Sequence, residues 1–146
     1  MEIPQRTILL VEDNEDDVFA MQWAMKQAKI ANPLQIVVHG QEAIDYLSGS
    51  GLYANRDQYP LPFLIFLDLK MPFVNGFEVL SWIRQQPALN TIPVVVLTSS
   101  DENKDHQRAY ALGARSYLVK PPDPEALREL FKSMQSLWSV GGFAPS

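Results

Sequence analysis

The sequence predicts a doubly wound α/β domain, in which helices cover both faces of a parallel sheet of five strands. Five short runs are rich in β-branched or aromatic residues and largely apolar on both faces, which is typical of buried parallel strands. Amphipathic helical patterns alternate with these runs along the chain. The predicted strands are TILLV (7–11), LQIVV (34–38), FLIFL (63–67), IPVVVLT (92–98) and SYLV (116–119).

Two helices are predicted in the first half of the chain, one after each of the first two strands. The core face of the first helix is formed by Val18, Met21, Met25 and Ala28. The second helix spans 40–47, and its core face is formed by Ala43, Ile44 and Leu47. The spacing within each set places its residues on one side of a helix.

Three further helices are predicted in the second half. Asn75 caps the third helix, which has Gly76 in its first turn and a core face formed by Val79, Leu80 and Ile83. The fourth helix spans 103–112. The fifth helix begins with Asp123 as its N-cap and Pro124 at its first position. Its core face is formed by Leu127, Leu130, Phe131, Met134 and Leu137.

Composition excludes several classes of protein. A chain of 146 residues with 47% hydrophobic and 20% charged residues has the size and balance of one soluble domain. The start MEIPQRT lacks the apolar run of a signal peptide, and no stretch reaches the length of a membrane span. The absence of cysteine excludes disulfides and thiolate metal sites, and a net charge of −5 argues against nucleic acid as a partner. We expect a cytoplasmic protein.

Polar residues follow the predicted strands at their carboxyl ends, where doubly wound sheets place their ligand sites. They are Glu12 and Asp13 after the first strand, Asp68 after the third, Thr98 and Ser99 at the end of the fourth, and Lys120 after the fifth. We therefore expect three carboxylates, a hydroxyl and an amine to meet at one edge of the sheet.

Three carboxylates close together repel one another, and a divalent cation such as Mg²⁺ resolves the repulsion. Asp68 is then placed to act as a nucleophile that forms an aspartyl phosphate. Lys120 neutralises phosphate charge, and the Thr98 hydroxyl binds a phosphate oxygen. Taken singly, each residue also fits a structural role: a helix cap for the acidic pair, a turn residue for Asp68, a core hydroxyl for Thr98 and a solvated amine for Lys120.

The blocks ILLVEDNEDD, FLDLKMPFVNGFEVL, VVLTSSDE and GARSYLVKPPDPEAL together resemble the receiver domain of two-component response regulators. The resemblance covers about residues 7–138. It implies a flavodoxin-like fold with strand order 2-1-3-4-5, and a single receiver domain over residues 1–146. It also implies phosphorylation by a sensor histidine kinase.

The same resemblance assigns roles to individual residues. Asp68 is the expected phosphoacceptor, and Thr98 and Lys120 are the other active-site residues. The metal, Mg²⁺ or alternatively Mn²⁺, is expected on Glu12, Asp13, Asp68 and the backbone carbonyl of Lys70. Tyr117 matches the aromatic residue whose rotation accompanies the shift of Thr98. The Lys120-Pro121 peptide bond is expected to be cis.

Two segments lie outside the common receiver plan. Residues 48–62 are predicted to form a long loop, rich in Gly, Asn, Asp and Pro. Such a loop before an FLDL strand resembles the single-domain response regulators that partner cyanobacterial and bacterial phytochromes, although a tolerated surface insertion is the alternative. Residues 139–146 are predicted to be a flexible tail with Phe143 as an anchor.

The sequence thus predicts a single-domain response regulator that accepts a phosphoryl group from a histidine kinase of the phytochrome type. It is not expected to be an enzyme beyond its own phosphorylation and dephosphorylation, and it is expected to form a homodimer. A phosphorelay shuttle to a histidine phosphotransfer protein and a phosphorylation-independent binding module remain alternatives. A flavodoxin-like electron carrier is disfavoured because EDNEDD stands where a phosphate-cradling loop would need Ser, Thr or Gly.

Overall fold

The computed structural model describes residues 6–99 and 103–139. Its five strands form one parallel sheet in the order β2-β1-β3-β4-β5, which confirms the predicted fold class and strand order. The strands are β1 (Ile8–Val11), β2 (Leu34–Val37), β3 (Leu64–Leu67), β4 (Val94–Thr98) and β5 (Ser116–Val119).

Five helices connect and cover the strands. They are α1 (Glu15–Gln27), α2 (Gly40–Ser48), α3 (Gly76–Arg84), α4 (Asn103–Ala111) and α5 (Pro124–Ser139). Alternate residues of the central strands enter two separate cores. Leu9 and Val11 pack in the core beneath α2, α3 and α4, whereas Ile8 and Leu10 pack in the core beneath α1 and α5. This two-sided burial explains why the central strands β1 and β3 are apolar at every position.

Helix caps follow the predictions at two of three positions. Asn75 accepts a hydrogen bond from Glu78 N–H at the start of α3, and Asp123 accepts one from Glu125 N–H at the start of α5. At α1 the cap is Asn14, which accepts from the N–H of Asp17. The structural alternative for the acidic pair, a helix cap, is therefore wrong.

The prediction for α2 is partly wrong. Ala43 and Leu47 are buried as expected, but Tyr46 takes the core position that was predicted for Ile44, which is half-buried. The buried tyrosine remains compatible with the core because its hydroxyl donates to the Pro60 carbonyl at 2.8 Å.

The start of α3 lies directly against the end of β3. Gly76, which has no Cβ atom, permits this close contact. A Cβ atom on Gly76 would lie 2.2 Å from the carbonyl oxygen of Asp68 and 2.5 Å from Leu69 Cα. A Cβ atom on Gly40, at the start of α2, would likewise lie 2.2 Å from the carbonyl oxygen of Val74. The loop between β3 and α3 is thus held close to the carboxyl edge of the sheet on both sides.

Residues 48–62 are more ordered than the predicted long loop. They contain a 3₁₀ helix, Gly51–Ala54, and fold back along α2 so that the hydroxyl of Tyr53 donates to Glu42 at 2.7 Å. The rings of Tyr53 and Tyr59 lie 4.9 Å apart between centroids, in an edge-to-face arrangement. Side chain to backbone hydrogen bonds replace regular secondary structure in this segment.

Within the two described ranges, no helix has both the length and the apolar character needed to cross a membrane. The predicted anchor Phe143 lies outside the described residues, as does all of the predicted tail beyond Ser139. The side chain of Leu137 is likewise not described.

Candidate functional site

A polar cleft of about 270 Å³ opens at the carboxyl edge of the sheet, between the ends of β1, β3 and β5. Most of its walls come from the loops that follow these strands and from the first turn of α1. The lining residues are Glu12, Asp13, Asn14, Asp17, Asp68, Lys70, Ser99 and Lys120. The structure therefore brings together six of the eight residues that the sequence singles out for the site.

Lys120 stands at the centre of the charges in this cleft. Its Nζ lies 2.5 Å from Glu12 Oε1 and 2.8 Å from Asp17 Oδ2. Asp68 Oδ2 lies farther away, at 3.6 Å. The amine is mostly buried, with 9% of the side chain exposed, and Lys120 is joined to Pro121 by the cis peptide bond that was expected. A single cation thus serves three carboxylates.

Asp68 is fixed at the end of β3 by its own backbone surroundings. Its N–H donates to the Val11 carbonyl at 3.0 Å, and its Oδ1 accepts from the N–H of Lys70 at 3.1 Å. Only 4% of the residue is exposed. One carboxylate oxygen is therefore held by the following loop, while Oδ2 is the oxygen that lies toward Lys120.

Burial perturbs the pKa values of the carboxyl groups in the cleft. The pKa of Glu12 is raised to about 7, mainly because the carboxyl group is buried. The hydrogen bond with Lys120 opposes this rise, whereas the negative charge of Asp68 contributes to it. Burial also raises the pKa of Asp68, although Lys120 and the N–H of Lys70 lower it. One lysine does not fully compensate these buried carboxylates.

Lys120 itself responds in the opposite direction. Burial lowers the pKa of Lys120, but its hydrogen bonds to Asp17 and Glu12 outweigh that effect, so its pKa lies above the usual value. The amine therefore remains charged at neutral pH, and further positive charge in the cleft must come from elsewhere.

Glu12, Asp13 and Asp68 form a candidate cation site. Each offers a carboxylate oxygen within 4.8 Å of the others, and Glu12 and Asp68 are buried whereas Asp13 is exposed. The residues fit a hard divalent cation, because the ligand atoms are oxygens and the two buried carboxylates have incompletely compensated charge. Lys70 lines the same cleft, and its Nζ lies 4.0 Å from Asp105 Oδ2.

Thr98 and Tyr117 lie on the strand pair β4 and β5, outside the lining of the cleft. Thr98 is fully buried, and its carbonyl accepts the N–H of Lys120 at 2.8 Å. Tyr117 is half-buried, and its ring lies on the ring of His106 in α4 with centroids 3.6 Å apart. Both expected switch residues are thus connected to the site: Thr98 through its hydrogen bond with Lys120, and Tyr117 through β5, which leads to Lys120. Helix α4 covers Tyr117.

Sequence reasoning missed Asp17, which makes one of the two shortest contacts of Lys120. The signal was its spacing: Asp17 lies four residues after Asp13, one helical turn along the start of α1. His106 was also missed, and its contact with Tyr117 had no local sequence signal.

Residues 8–132 match the sequence profile of the family described as the response regulator receiver domain. The chain belongs to the response regulator receiver family. Response regulator Rcp1 of Synechocystis sp. is 38% identical over 135 residues, which cover 92% of this receiver and 90% of Rcp1.

Solved receiver structures share the fold over nearly the whole chain. The bacteriophytochrome response regulator RtBRR superposes with a TM-score of 0.81 at 38% identity, covering 97% of this receiver and 84% of RtBRR. The phosphorylated cyanobacterial phytochrome response regulator RcpA gives 0.77 at 35% identity, covering 97% and 99%. The Mn²⁺-bound form of Rcp1 gives 0.74 at 36% identity, with the same coverage. This receiver is thus related to phytochrome signalling regulators.

Proposed function

We propose that this receiver accepts a phosphoryl group from a sensor histidine kinase onto Asp68. The observation that carries the proposal is the position of Asp68 Oδ2, which lies 3.6 Å from Lys120 Nζ in a cleft shared with Glu12 and Asp13. Transfer breaks the P–N bond of a phosphohistidine and forms a P–O bond to the Asp68 carboxylate. The imidazole leaves with the electron pair of the broken bond.

The metal proposed for this step is Mg²⁺, with Mn²⁺ as a substitute. Glu12, Asp13, Asp68 and the backbone carbonyl of Lys70 would hold it, and when bound it supplies positive charge for the phosphoryl oxygens. The acidic cluster supports this assignment, as does the Mn²⁺-bound form of the relative Rcp1. Lys120, whose Nζ lies 3.6 Å from Asp68 Oδ2, would contribute a second positive charge.

We propose that the protein performs no turnover on other substrates and catalyses only its own phosphorylation and dephosphorylation. Its partner is proposed to be a phytochrome-type histidine kinase in the cytoplasm, and the receiver is proposed to act as a single domain. The similarity to RtBRR, RcpA and Rcp1 supports the choice of partner.

The output surface is proposed to be the face formed by α4, β5 and α5. Phosphate on Asp68 draws the Thr98 hydroxyl inward, and Tyr117 rotates into the space that Thr98 leaves. The contact of Tyr117 with His106 means that this rotation changes the packing of α4. A symmetric homodimer through this face is the simplest arrangement for transmitting the change. Sedimentation with and without beryllofluoride tests the dimer, and a monomer under both conditions contradicts it.

Asp68→Asn tests the phosphoacceptor. The variant should fold and remain unlabelled both by acetyl phosphate and by a phosphorylated kinase. Asp16→Asn is the matched control, because Asp16 is an exposed carboxylate in the first turn of α1 that does not line the cleft. Labelling of Asp68→Asn at the rate of the control would overturn the assignment.

A further inference from the structure

The loop between β3 and α3 carries an unusual residue at its tip. Phe73 is 96% exposed, the highest value among the large hydrophobic residues in the described part of the chain. Its backbone also adopts φ of 64°, a left-handed conformation in which the Cβ atom of an L-residue is crowded. A bulky aromatic residue at such a position is an outlier that calls for a functional explanation.

The base of this loop is firmly anchored beside the acceptor. The N–H of Gly76 donates to the Leu69 carbonyl at 3.0 Å, and the N–H of Lys70 donates to Asp68 Oδ1. Phe73 lies three residues from Lys70 and three from Gly76, so its Cα lies within about 11 Å of each. Since Lys70 lines the cleft and Gly76 abuts the Asp68 carbonyl, the loop that carries Phe73 borders the cleft.

A second exposed apolar residue lies on the adjacent connection. Val38 is 44% exposed and follows β2 at the same carboxyl edge of the sheet. It precedes Gly40 by two residues, and Gly40 packs against Val74 in the loop that carries Phe73. Val38 and Phe73 thus belong to two loops that touch, which places apolar surface on the α2 side of the cleft.

We infer that Phe73 is a contact residue for the protein that donates the phosphoryl group, and that it packs on apolar side chains beside the phosphohistidine. This inference rests on the proposed function. Asp68 is 4% exposed within the cleft, so a donor attached to a protein must cover the mouth of the cleft to reach it. A small phosphate donor enters the cleft without touching the loop tip.

Phe73→Asn tests the inference with the full-length chain. Asparagine tolerates the left-handed conformation and removes the ring. With the kinase of the same genome that labels the wild type fastest, kcat/KM for transfer should fall about 10-fold or more, mainly through KM. Labelling by acetyl phosphate should stay within about 2-fold, because the cleft is unchanged. Leu52→Asn is the matched control. Leu52 is 70% exposed and lies in the connection from α2 to the start of β3, which leads to the end of the sheet opposite the cleft.

The outcomes separate the inference from the proposed function. Equal transfer from the kinase to Phe73→Asn, Leu52→Asn and the wild type would overturn the inference and leave the proposed function standing. Failure of both phosphodonors to label the wild type would overturn the proposed function itself. An equal loss with both donors, or a loss only of self-association measured by sedimentation, would also overturn the inference.

Thermal unfolding provides an independent readout. If the ring serves a partner and not the fold, relief of the backbone crowding should raise the Tm of Phe73→Asn by about 2–4 °C. A structural role for the ring predicts the opposite shift, and a lowered Tm would count against the inference.

Discussion

The cleft and the segment 48–62 both enclose polar groups, but these groups find their partners in different ways in the two regions. In the segment, the guanidinium of Arg56 donates to the carbonyls of Tyr46 at 2.8 Å, Leu47 at 2.9 Å and Tyr59 at 3.2 Å. Both terminal nitrogens of the guanidinium thus have backbone acceptors. In the cleft, Glu12, Asp17 and Asp68 share the single amine of Lys120.

The difference separates a structural region from a reactive one. The segment is electrostatically complete from its own residues, so it stabilises the fold without a ligand. The cleft holds more buried negative charge than Lys120 compensates, and the raised pKa values of Glu12 and Asp68 reflect that deficit. Carboxylates perturbed in this way mark a candidate functional site.

The largest effect is expected where the segment loses its central donor. Arg56→Ala should lower the free energy of unfolding by about 3 kcal/mol, because three carbonyls lose a charged partner. Urea titration measures this loss. Arg115→Ala is a suitable control, since Arg115 is exposed on the described surface. Equal stability of the two variants would mean that the hydrogen bonds of Arg56 do not stabilise the packing of the segment on α2. Labelling of Asp68 by acetyl phosphate should persist in the folded fraction of Arg56→Ala.

The next effect concerns the cleft and its cation. Asp13→Ala should weaken Mg²⁺ binding about 10-fold or more, because the exposed member of the carboxylate cluster is removed. Titration calorimetry with MgCl₂ measures the affinity, and Asp16→Ala provides the control. In the wild type, EDTA should stop phosphotransfer. Transfer at an undiminished rate in EDTA would show that the cleft needs no cation.

A smaller effect of opposite sign is expected from Asp68→Asn without metal. Burial raises the pKa of Asp68, so its ionised form destabilises the fold, and this destabilisation grows as the pH rises above the ordinary value of 3.8. At pH 8 in EDTA, the free energy of unfolding of the variant, measured by urea titration, should exceed that of the wild type by about 1 kcal/mol. Excess MgCl₂ should narrow the gap. A variant less stable than the wild type in EDTA would contradict the charge deficit.

The smallest effect is expected from Tyr53→Phe, at about 0.5 kcal/mol of lost stability near neutral pH. Burial and the hydrogen bond to Glu42 raise the pKa of Tyr53 to about 12. The hydroxyl therefore stabilises the fold below pH 10, and this contribution is lost as the pH rises toward 12. The gap between the wild type and Tyr53→Phe should close over that window. A constant gap from pH 8 to pH 11.5 would show that Tyr53 does not titrate as expected.

The sequence predicted the five strands because strand burial is a local property, visible as apolar residues at consecutive positions. The strand order came from the resemblance to receiver domains. The caps Asn75 and Asp123 were also predictable, since each contacts an N–H two or three residues away. The contact between Asp17 and Lys120 joins residues 103 apart in sequence, and neither residue type specifies the other. The family resemblance supplied the roles of Lys120 and Asp68 but not this pairing.

The contacts that order the segment 48–62 were missed for a related reason. Gly, Asn and Pro indicate a loop, and they do mark irregular backbone here. The order comes from Arg56 bonding to carbonyls nine and ten residues earlier, and from a tyrosine hydroxyl that reaches back eleven residues to Glu42. Neither contact produces a helical or strand period, so pattern reasoning has no means of detecting it.

The hydrogen bonds of Arg56 also determine how a protease meets this protein. Arg56 is the one Lys or Arg between Lys29 and Lys70, so it is the single trypsin site in that stretch. Cleavage requires the arginine to extend into the specificity pocket of the enzyme, but here its guanidinium is engaged by three carbonyls of its own chain. The peptide bond after Arg56 is therefore shielded in the native state, and its cleavage reports the opening of the segment and not its surface exposure.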